Sequence, residues 1–202
     1  MYHTSLKGRP LPRRSTAMKL LTTLNLSHFD QMFQMEQQFY GSDHITPAEE
    51  AFAWYQRFPY TVVAAEDHGR IAGFVNLFPV CDAVLNQLRQ GTFNDRDLTV
   101  DQIVDIHASQ TEPLHMFLSC VVIASEYRKH GLTNLLLRKA TEQYAAVEHR
   151  CDVIVTDNVT PEGCRFAQTY GFVPLRSSDH DSLLQEQSYR RFCSLVRAHT
   201  FL

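Results

Sequence analysis

The sequence predicts an α/β protein in which helices pack against a central β-sheet. An apolar strand at Leu118–Ile123 runs through a short polar turn into a helix with leucines at helical spacing. From residue 115 to residue 175, strand-like and helix-like segments alternate, and this order requires a sheet with helices packed on it. Earlier in the chain, Asp67-His68-Gly69 separates two strand-like runs, which is typical of a β-hairpin.

The first part of the chain is predicted to hold a strand, two helices and this hairpin. Ser27 is a candidate N-cap for the first helix, which we expect to end at Gly41. Thr46-Pro47-Ala48-Glu49 has the pattern of a capping box with proline at the first helical position, and it predicts a second helix closed by Pro59. The strands of this part are predicted at Met18–Leu24, Thr61–Glu66 and Arg70–Phe78.

The last part of the chain continues the alternation of helices and strands. A helix is predicted from about Leu132 to His149, because its apolar residues share one face. Thr160-Pro161-Glu162 is a second helix start, and Gly171 is predicted to end that helix. The strands that follow these two helices are predicted at Asp152–Thr156 and Phe172–Leu175, with a last strand at Tyr189–Arg197.

The length and composition indicate one domain and exclude several classes of protein. The 202 residues and the net charge of −3 argue for a single globular domain without bulk affinity for nucleic acid. The five cysteines are scattered without C-x-x-C spacing, which predicts reduced thiols in a cytoplasmic protein. No metal site is expected, because the histidines do not form H-x-x-x-H or H-E-x-x-H. No apolar run approaches the roughly 20 residues that cross a membrane.

Two segments differ in composition from the rest of the chain. Residues 1–17 contain two prolines and four basic residues, and they predict a flexible N-terminal extension, with Met18 as a candidate natural start. We expect residues 18–202 to form the single domain. Within it, residues 81–113 are polar and acidic and predict an insertion between the third and fourth strands. Apolar residues at helical spacing indicate that this insertion carries one or two short helices.

The turn after Leu118–Ile123 predicts an anion site. Its sequence is Arg128-Lys129-His130-Gly131-Leu132-Thr133, and no acidic residue follows Glu126 until Glu142. The start of a helix leaves backbone N–H groups unpaired and carries the positive end of the helix dipole, which suits a pyrophosphate. The three-glycine dinucleotide motif fits poorly, because this turn has one glycine, and no Gly-Lys-Ser/Thr of a P-loop is present.

Two motifs resemble those of the GNAT superfamily of acyl-CoA-dependent N-acyltransferases. The spacing Arg128-x-x-Gly131-x-Thr133 after a strand resembles the family's motif A, with Thr133 where the pattern has Gly or Ala. The segment from Thr160 to Pro174, with its Gly171-Phe172, resembles motif B. The resemblance covers about residues 18 to 200. It implies a central mixed, mostly antiparallel sheet flanked by helices, in which the fourth and fifth strands splay apart.

The resemblance also implies a site for acetyl-CoA as co-substrate. The pantetheine arm would lie between the splayed strands, and backbone amides of the turn would bind the pyrophosphate. The side chains of Arg128 and Lys129 would add positive charge. The residues implied in cofactor binding are Val121, Val122, Ile123, Arg128, Lys129, His130, Gly131, Leu132 and Thr133.

The acid and base groups common in this family have no counterpart here. Ala167 stands where many members have a tyrosine acid, and Phe117 stands near the position of an acidic base. His115 is a candidate base acting through water, because imidazole titrates close to neutral pH. It shares a strand face with Phe117 and Ser119 by the period of two, and Ser119 is a candidate donor to the leaving thiolate.

The resemblance implies transfer of acetyl from acetyl-CoA to a primary amine of a small molecule or peptide. The acidic residues of the 81–113 segment would favour a cationic amine. The alternative is an inactive acyl-CoA-binding sensor, which the missing tyrosine and strand-4 acid support. A third hypothesis is an interaction module that acts through the insertion or the C-terminal strand, with a homodimer as its form.

Overall fold

A seven-stranded sheet organises the computed structural model, which describes residues 18–40, 45–108, 111–179 and 181–199. The strand order is β1-β2-β3-β4-β5-β7-β6, and every adjacent pair is antiparallel except β4 and β5. The strands are β1 (Lys19–Leu20), β2 (Val62–Asp67), β3 (Arg70–Val80), β4 (Leu114–Ile123), β5 (Cys151–Asn158), β6 (Val173–Ser177) and β7 (Leu183–Ser188). The mixed, mostly antiparallel sheet predicted from the family resemblance is therefore confirmed.

Six α-helices and several short 3₁₀ turns connect the strands. The helices are α1 (Leu26–Glu36), α2 (Ala48–Arg57), α3 (Asp82–Gln90), α4 (Leu132–Gln143), α5 (Pro161–Thr169) and α6 (Tyr189–Ala198) among the described residues. The predicted N-terminal extension, residues 1–17, lies outside the described part of the chain, as does Gly41. No described helix has both the length and the apolar character needed to cross a bilayer.

The starts of the first two helices differ from the predicted caps. Asn25, not Ser27, is the N-cap of α1: its side chain accepts from the His28 N–H at 3.1 Å, and His28 Nδ1 accepts from the Asn25 N–H. For α2 the cap is Pro47 and the first helical residue is Ala48, one position later than predicted. A cap residue needs extended backbone angles, which Pro47 supplies with its ψ of 145°.

The predicted last strand, Tyr189–Arg197, is wrong, because this segment is helix α6. Its buried residues are Tyr189, Phe192, Cys193 and Val196, which recur at the spacing of a helix and form one apolar face. The last strand is instead β7, whose sequence LLQEQS is too polar to stand out. The predicted first strand is also shorter than expected, since only Lys19–Leu20 pairs with β2.

The sheet is covered by helices on both faces. Phe74 and Phe78 of β3 pack in clusters with residues of α1, α2 and α3 on one face. Val75 and Leu77 alternate with them and pack on the other face with residues of α4, α5 and α6. The alternation follows from the period of two of a strand, and both faces of β3 are buried as a result.

Strands β4 and β5 separate halfway along their length. Their last paired residues are Phe117 and Val155, although β4 continues to Ile123 and β5 to Asn158. The backbone edge of β4 beyond Phe117 therefore has no strand on the β5 side. Ser119 has no partner on β3 and is an extra residue in β4, a β-bulge of the kind often found beside active sites. The predicted splay is confirmed.

The 81–113 segment between β3 and β4 is ordered wherever it is described. It carries α3, which ends at Gly91 in the left-handed conformation (φ 76°), and two 3₁₀ turns at Asp95–Asp97 and Val100–Gln102. Val84, Leu85 and Leu88 of α3 are buried against the sheet. The segment thereby covers the face of the sheet that also carries α1 and α2.

Candidate functional site

An open cleft of about 380 Å³ occupies the gap between β4 and β5. One wall is the exposed edge of β4, and the other is formed by the end of β5 and the start of α5. The turn that precedes α4 and the residues that follow α1 also line it. Its lining includes Leu118, Ser119, Val121, Val122, Ile123, Arg128, Lys129, Thr133, Thr156, Asp157, Asn158 and Phe166. The unpaired β4 backbone can accept an extended chain as an added strand.

The turn before α4 presents backbone amides without partners in the described chain. Lys129 and Gly131 both have positive φ, 64° and 78°, so the backbone curves sharply twice. The first amide that bonds within the helix is that of Leu135, which donates to the Gly131 carbonyl at 3.1 Å. Among the described residues, no acceptor is recorded for the amides of 129–134. Such a concave row of N–H groups at a helix start is a phosphate-binding arrangement.

Arg128 does not point its guanidinium freely into solvent. Its Nε donates to the carbonyl of Ile123 at 3.1 Å, and the guanidinium carbon lies 5.2 Å from the centre of the Phe39 ring. Arg128 therefore connects the turn to the end of β4 and to the residues that follow α1. It still lines the cleft together with Lys129, so both cations are placed beside the unpaired amides.

A second cavity, of about 90 Å³, adjoins the cleft and lies under α1 and α2. Four residues line both spaces and therefore mark their junction: Tyr40, Ser119, Asp157 and Val159. The other walls come from α1, α2, β3 and the 81–113 segment. The two spaces therefore adjoin at the β4 bulge.

Glu36, Tyr40 and Cys120 form a group of interacting titratable side chains in this cavity. Burial raises the pKa of Glu36 from 4.5 to about 7, and a hydrogen bond with the Cys120 thiol opposes the rise. Burial also raises the pKa of Tyr40, with neighbouring Cys120 and Glu36 adding to the effect, so its phenol stays protonated. The buried Cys120 thiol, whose pKa is raised by burial too, is hydrogen-bonded to both. A carboxyl that titrates near neutral pH is suited to general base chemistry.

The bulged residue Ser119 holds an acidic residue of the 81–113 segment at the junction. Its hydroxyl donates to Asp95 Oδ2 at 2.7 Å, and both residues line the second cavity. Two other acidic residues of the segment meet basic side chains elsewhere: Asp82 contacts His115, and Asp101 contacts Arg57 at 3.4 Å. Asp95 is the acidic residue of the segment that lines the cavity.

His115 lies away from both spaces. Its Nε2 is 2.8 Å from Asp82 Oδ1, and it is not among the residues that line the cleft or the cavity. Ala167 and Phe117, the positions where related proteins carry an acid or a base, are both fully buried in the core. The described chain therefore brings Ser119, but not His115, to the junction.

The residues implied in cofactor binding surround the cleft in two ways. Val121, Val122, Ile123, Arg128, Lys129 and Thr133 line it directly. His130, Gly131 and Leu132 shape the turn instead, and the Leu132 side chain is buried in the core beneath it. Glu36 and Tyr40 are not predicted from the sequence, since their neighbour Cys120 is 80 or more positions away along the chain.

The chain matches one protein family in sequence and several solved structures in fold. The profile of the Acetyltransferase (GNAT) family matches residues 29–172. No curated protein matches in sequence. Among solved structures, the loading GNATL domain of CurA from Lyngbya majuscula is 14% identical with a TM-score of 0.58, and the match covers 86% of this chain and 98% of that one.

Two other solved structures show the same fold, with similarly low sequence identity and similar TM-scores. Arabidopsis thaliana Naa50, in complex with the bisubstrate analogue CoA-Ac-MVNAL, is 10% identical with a TM-score of 0.55, covering 86% of this chain and 99% of that chain. The diaminobutyrate acetyltransferase EctA from Paenibacillus lautus is 15% identical with a TM-score of 0.52, covering 86% and 96%. At these identities the structures show a common fold. The family match over residues 29–172, together with the splayed β4 and β5, leads to one conclusion: this chain belongs to the GNAT family of acetyltransferases.

Proposed function

We propose that this protein transfers the acetyl group of acetyl-CoA to the nitrogen of a primary amine. The observation that carries the proposal is that two spaces adjoin, one suited to the cofactor and one holding a carboxyl whose pKa is about 7. They meet at Tyr40 and Ser119, where a thioester and an amine would come into contact. The five free cysteines fit a reducing compartment, so we place the reaction in the cytoplasm.

Acetyl-CoA would lie in the cleft between β4 and β5. Its pyrophosphate would accept hydrogen bonds from the amides of 129–134, with Lys129 and Arg128 adding charge. Its pantetheine arm would pair with the open edge of β4 at Val121–Ile123 and bring the thioester to the bulge at Ser119. The Naa50 structure, which holds a CoA-linked bisubstrate analogue, supports a cofactor in this fold.

The proposed chemistry assigns one proton transfer to each of two side chains. A cationic amine first gives one proton to solvent, and the neutral nitrogen then attacks the thioester carbonyl carbon, so that the C–N bond forms and the C–S bond breaks. The Glu36 carboxylate takes the proton that the amine loses, and the Tyr40 hydroxyl gives a proton to the leaving thiolate. Because Cys120 is hydrogen-bonded to both, the proton on Glu36 has a route back to Tyr40. Glu36 replaces His115 as our base, since His115 lies outside the cavity.

The acceptor is proposed to be a cationic amine of a small molecule or a peptide. Glu36 and Asp95 lie in the cavity where the amine would bind, and their negative charge would attract an ammonium group. Structures of this fold have been solved with ligands of both sizes: EctA with L-2,4-diaminobutyric acid, and Naa50 with the bisubstrate analogue CoA-Ac-MVNAL.

The second candidate is a sensor that binds acyl-CoA without turnover. The observation that favours it is Ala167, which is fully buried in the core and leaves α5 without the acid found in many family members. The sensor would keep the cleft and the amides of the turn but would not need the proton-transfer role of Glu36. The two functions therefore agree on cofactor binding and differ in thioester cleavage.

Free-thiol release from acetyl-CoA, measured with a panel of primary amines, separates the two candidates. Calorimetry with CoA on the same sample measures binding independently of turnover. The enzyme predicts release of CoA thiol with at least one amine and a matching N-acetyl product by mass spectrometry. Tight CoA binding without release for any amine would contradict the enzyme and support the sensor.

A further inference from the structure

The cavity under α1 and α2 is lined by acidic side chains and by no basic ones. The acidic residues are Glu36, Asp95 and Asp157. The remaining polar side chains of the lining stay uncharged at neutral pH; they are Tyr40, Thr46, Asn76, Asn94, Ser119 and Cys120. No Lys, Arg or His among the described residues lines the cavity. A ligand with a negative charge would therefore meet like charge there and no counter-ion.

The titratable side chains of the cavity reflect the same absence of positive charge. A basic side chain nearby would hold the pKa of Glu36 down. In the described chain, however, burial raises this pKa to about 7, and only the hydrogen bond with the Cys120 thiol opposes the rise. The negative charge of Asp95 adds to the rise in the pKa of both Tyr40 and Cys120. The charge of the Asp95 carboxylate thus reaches the groups beside Glu36.

Two arginines of the elements around the cavity are engaged outside it. Arg57 of α2 contacts Asp101 of the 81–113 segment at 3.4 Å. Arg128 donates to the Ile123 carbonyl, and it lines the cofactor cleft together with Lys129. Neither Arg128 nor Lys129 lines the cavity, so their charge is placed for the cofactor and not for the acceptor.

A carboxylate on the acceptor would be unfavourable in this cavity for two reasons. It would lose its water without gaining a cation, and it would lie near Glu36 and Asp95, whose like charge repels it. An ammonium group would gain from both of these carboxylates. A neutral amide would meet Asn76, whose Oδ1 is buried with no hydrogen-bond partner among the described residues and can accept an N–H.

We propose that the acceptor is an amine that carries no carboxylate. Free amino acids would be excluded, whereas amines in which the carboxyl group is absent or is bound in an amide would be accepted. The negative walls of the cavity and the absence of a described cation among them make this selection. The inference rests on the proposed function, because it takes the second cavity as the acceptor site.

The pair of L-2,4-diaminobutyric acid and 1,3-diaminopropane tests the inference directly, because the second molecule is the first without its carboxyl group. Trp54 is the single tryptophan of the chain and lines the cavity, so its fluorescence reports occupancy without turnover. At pH 8 and in the presence of CoA, we expect the Kd of 1,3-diaminopropane to be about 30-fold lower or more. Equal or tighter binding of L-2,4-diaminobutyric acid would overturn the proposal.

A pair of lysine variants tests whether the charge of the cavity makes the selection. Thr46 precedes α2 and lines the cavity, whereas Ala53 within α2 is exposed and does not line it. We expect Thr46→Lys to improve binding of L-2,4-diaminobutyric acid relative to 1,3-diaminopropane about tenfold or more, because the new ammonium group would pair with the carboxylate. Ala53→Lys adds the same charge and should leave the ratio unchanged. Both variants should bind CoA as the parent does, and equal ratios in the two would contradict the location.

A third ligand, L-2,4-diaminobutyramide, separates charge from size and identifies the source of the acceptor. It has the shape of the acid but carries a neutral amide in place of the carboxylate. Affinity equal to that of 1,3-diaminopropane would assign the site to an amine beside an amide, as in the amino-terminal residue of a peptide. An affinity between those of the other two ligands would assign it to a free amine, and both results retain the absence of a carboxylate. Affinity as low as that of the acid would mean that the cavity rejects size and not charge, and the inference would be wrong.

The tests distinguish failure of the inference from failure of the proposed function. Tighter binding of 1,3-diaminopropane than of the acid, without thiol release, would support the acceptor site and contradict turnover. Equal rates of thiol release with the acid and with 1,3-diaminopropane would support the enzyme and contradict the acceptor class. If neither ligand changes the fluorescence of Trp54, the cavity receives no amine and the inference is wrong, whereas thiol release with another amine would still support the enzyme.

Discussion

The raised pKa of Glu36 suits a catalytic base, but the burial that raises it lowers the stability of the folded protein when the carboxyl is charged. Burial raises its pKa from 4.5 to about 7, which suits a base at neutral pH. In the unfolded chain the pKa returns to its ordinary value, so between these two pH values the folded protein holds a proton that the unfolded chain has released. Because the folded pKa is the higher one, the contribution of Glu36 to stability is greatest below pH 4.5 and is lost as the pH rises through about 7.

The substitution Glu36→Gln is expected to lower activity and raise stability. Loss of the base should reduce kcat by about 10²- to 10⁴-fold. At pH 8 the variant should be more stable than the parent by about 1–2 kcal/mol, since a pKa unit corresponds to about 1.4 kcal/mol and partial exposure reduces the effect. Urea denaturation at pH 8 and pH 5 measures this, with a smaller gain at pH 5. A variant less stable at pH 8 would contradict the burial of the charge.

The pH dependence of turnover should follow the ionisation of Glu36. The carboxylate is the reactive form, so kcat should rise with pH and level off above about 7. Cys120→Ala removes the hydrogen bond that lowers the pKa of Glu36 and should move the inflection to higher pH. Steady-state rates from pH 5 to 9 measure both. An inflection that stays in place in Glu36→Gln would assign it to another group.

Tyr40→Phe is expected to slow turnover without weakening cofactor binding. The hydroxyl is the proposed proton donor to the thiolate, and its loss should lower kcat by about 10- to 100-fold. Tyr170→Phe is a matched control, because that hydroxyl, on the C-cap residue of α5, is buried and contacts Asn134 at 3.5 Å. Equal rates for Tyr40→Phe and the parent, with acetyl-CoA saturating, would mean that solvent or Ser119 protonates the thiolate.

The site was partly predictable from residues close together in sequence. The turn from Arg128 to Thr133 was found because a glycine, basic residues and a helix start are contiguous there. Glu36 and Tyr40 were missed, because an acidic residue near a helix end has the same pattern as a solvated surface residue. Their proposed roles depend on Cys120, which lies beside them through the packing of α1 on β4.

The conformation of the turn before α4 leads to a specific prediction about the affinity of the protein for CoA. Gly131 has a φ of 78°, and its neighbours' amides are unpaired in the described chain. Gly131→Asp adds strain and a negative charge beside the pyrophosphate site, so the Kd for CoA measured by calorimetry should rise at least tenfold. Gly69→Asp is the control: its φ is 80° and no atom lies within 4 Å of an added Cβ. Equal CoA affinity for both variants would contradict the site.

The C-terminal helix shows why one element was predicted wrongly. Tyr189, Phe192, Cys193 and Val196 fit a helix, but the run is short, aromatic and lacks a strong cap, so a strand was an equally simple interpretation. The true strand β7 is stabilised by pairing on both sides, with β5 and β6, and not by its own sequence. Strands that depend on pairing with distant segments are difficult to predict from the local sequence pattern.

At the scale of the whole molecule, the separation of β4 from β5 creates the site. The strands pair from Leu114 to Phe117 and then diverge. The sheet is therefore continuous up to Phe117, and the cleft opens beyond it. Helices α1 and α2 and the 81–113 segment cover one side of the junction. In the proposed function, the same sheet would supply an edge for the cofactor, a bulge at the reacting atoms and a separate cavity for the acceptor.

Hydrogen exchange measured with and without acetyl-CoA tests this arrangement most directly. If the cofactor lies in the splay, amides of residues 121–123 and 129–134 should exchange more slowly when acetyl-CoA is bound, since both sets would then donate to it or be covered by it. The hairpin turn at His68–Gly69 should be unchanged. Protection confined to other parts of the sheet, or binding with no protection at the turn, would contradict the proposed cofactor site.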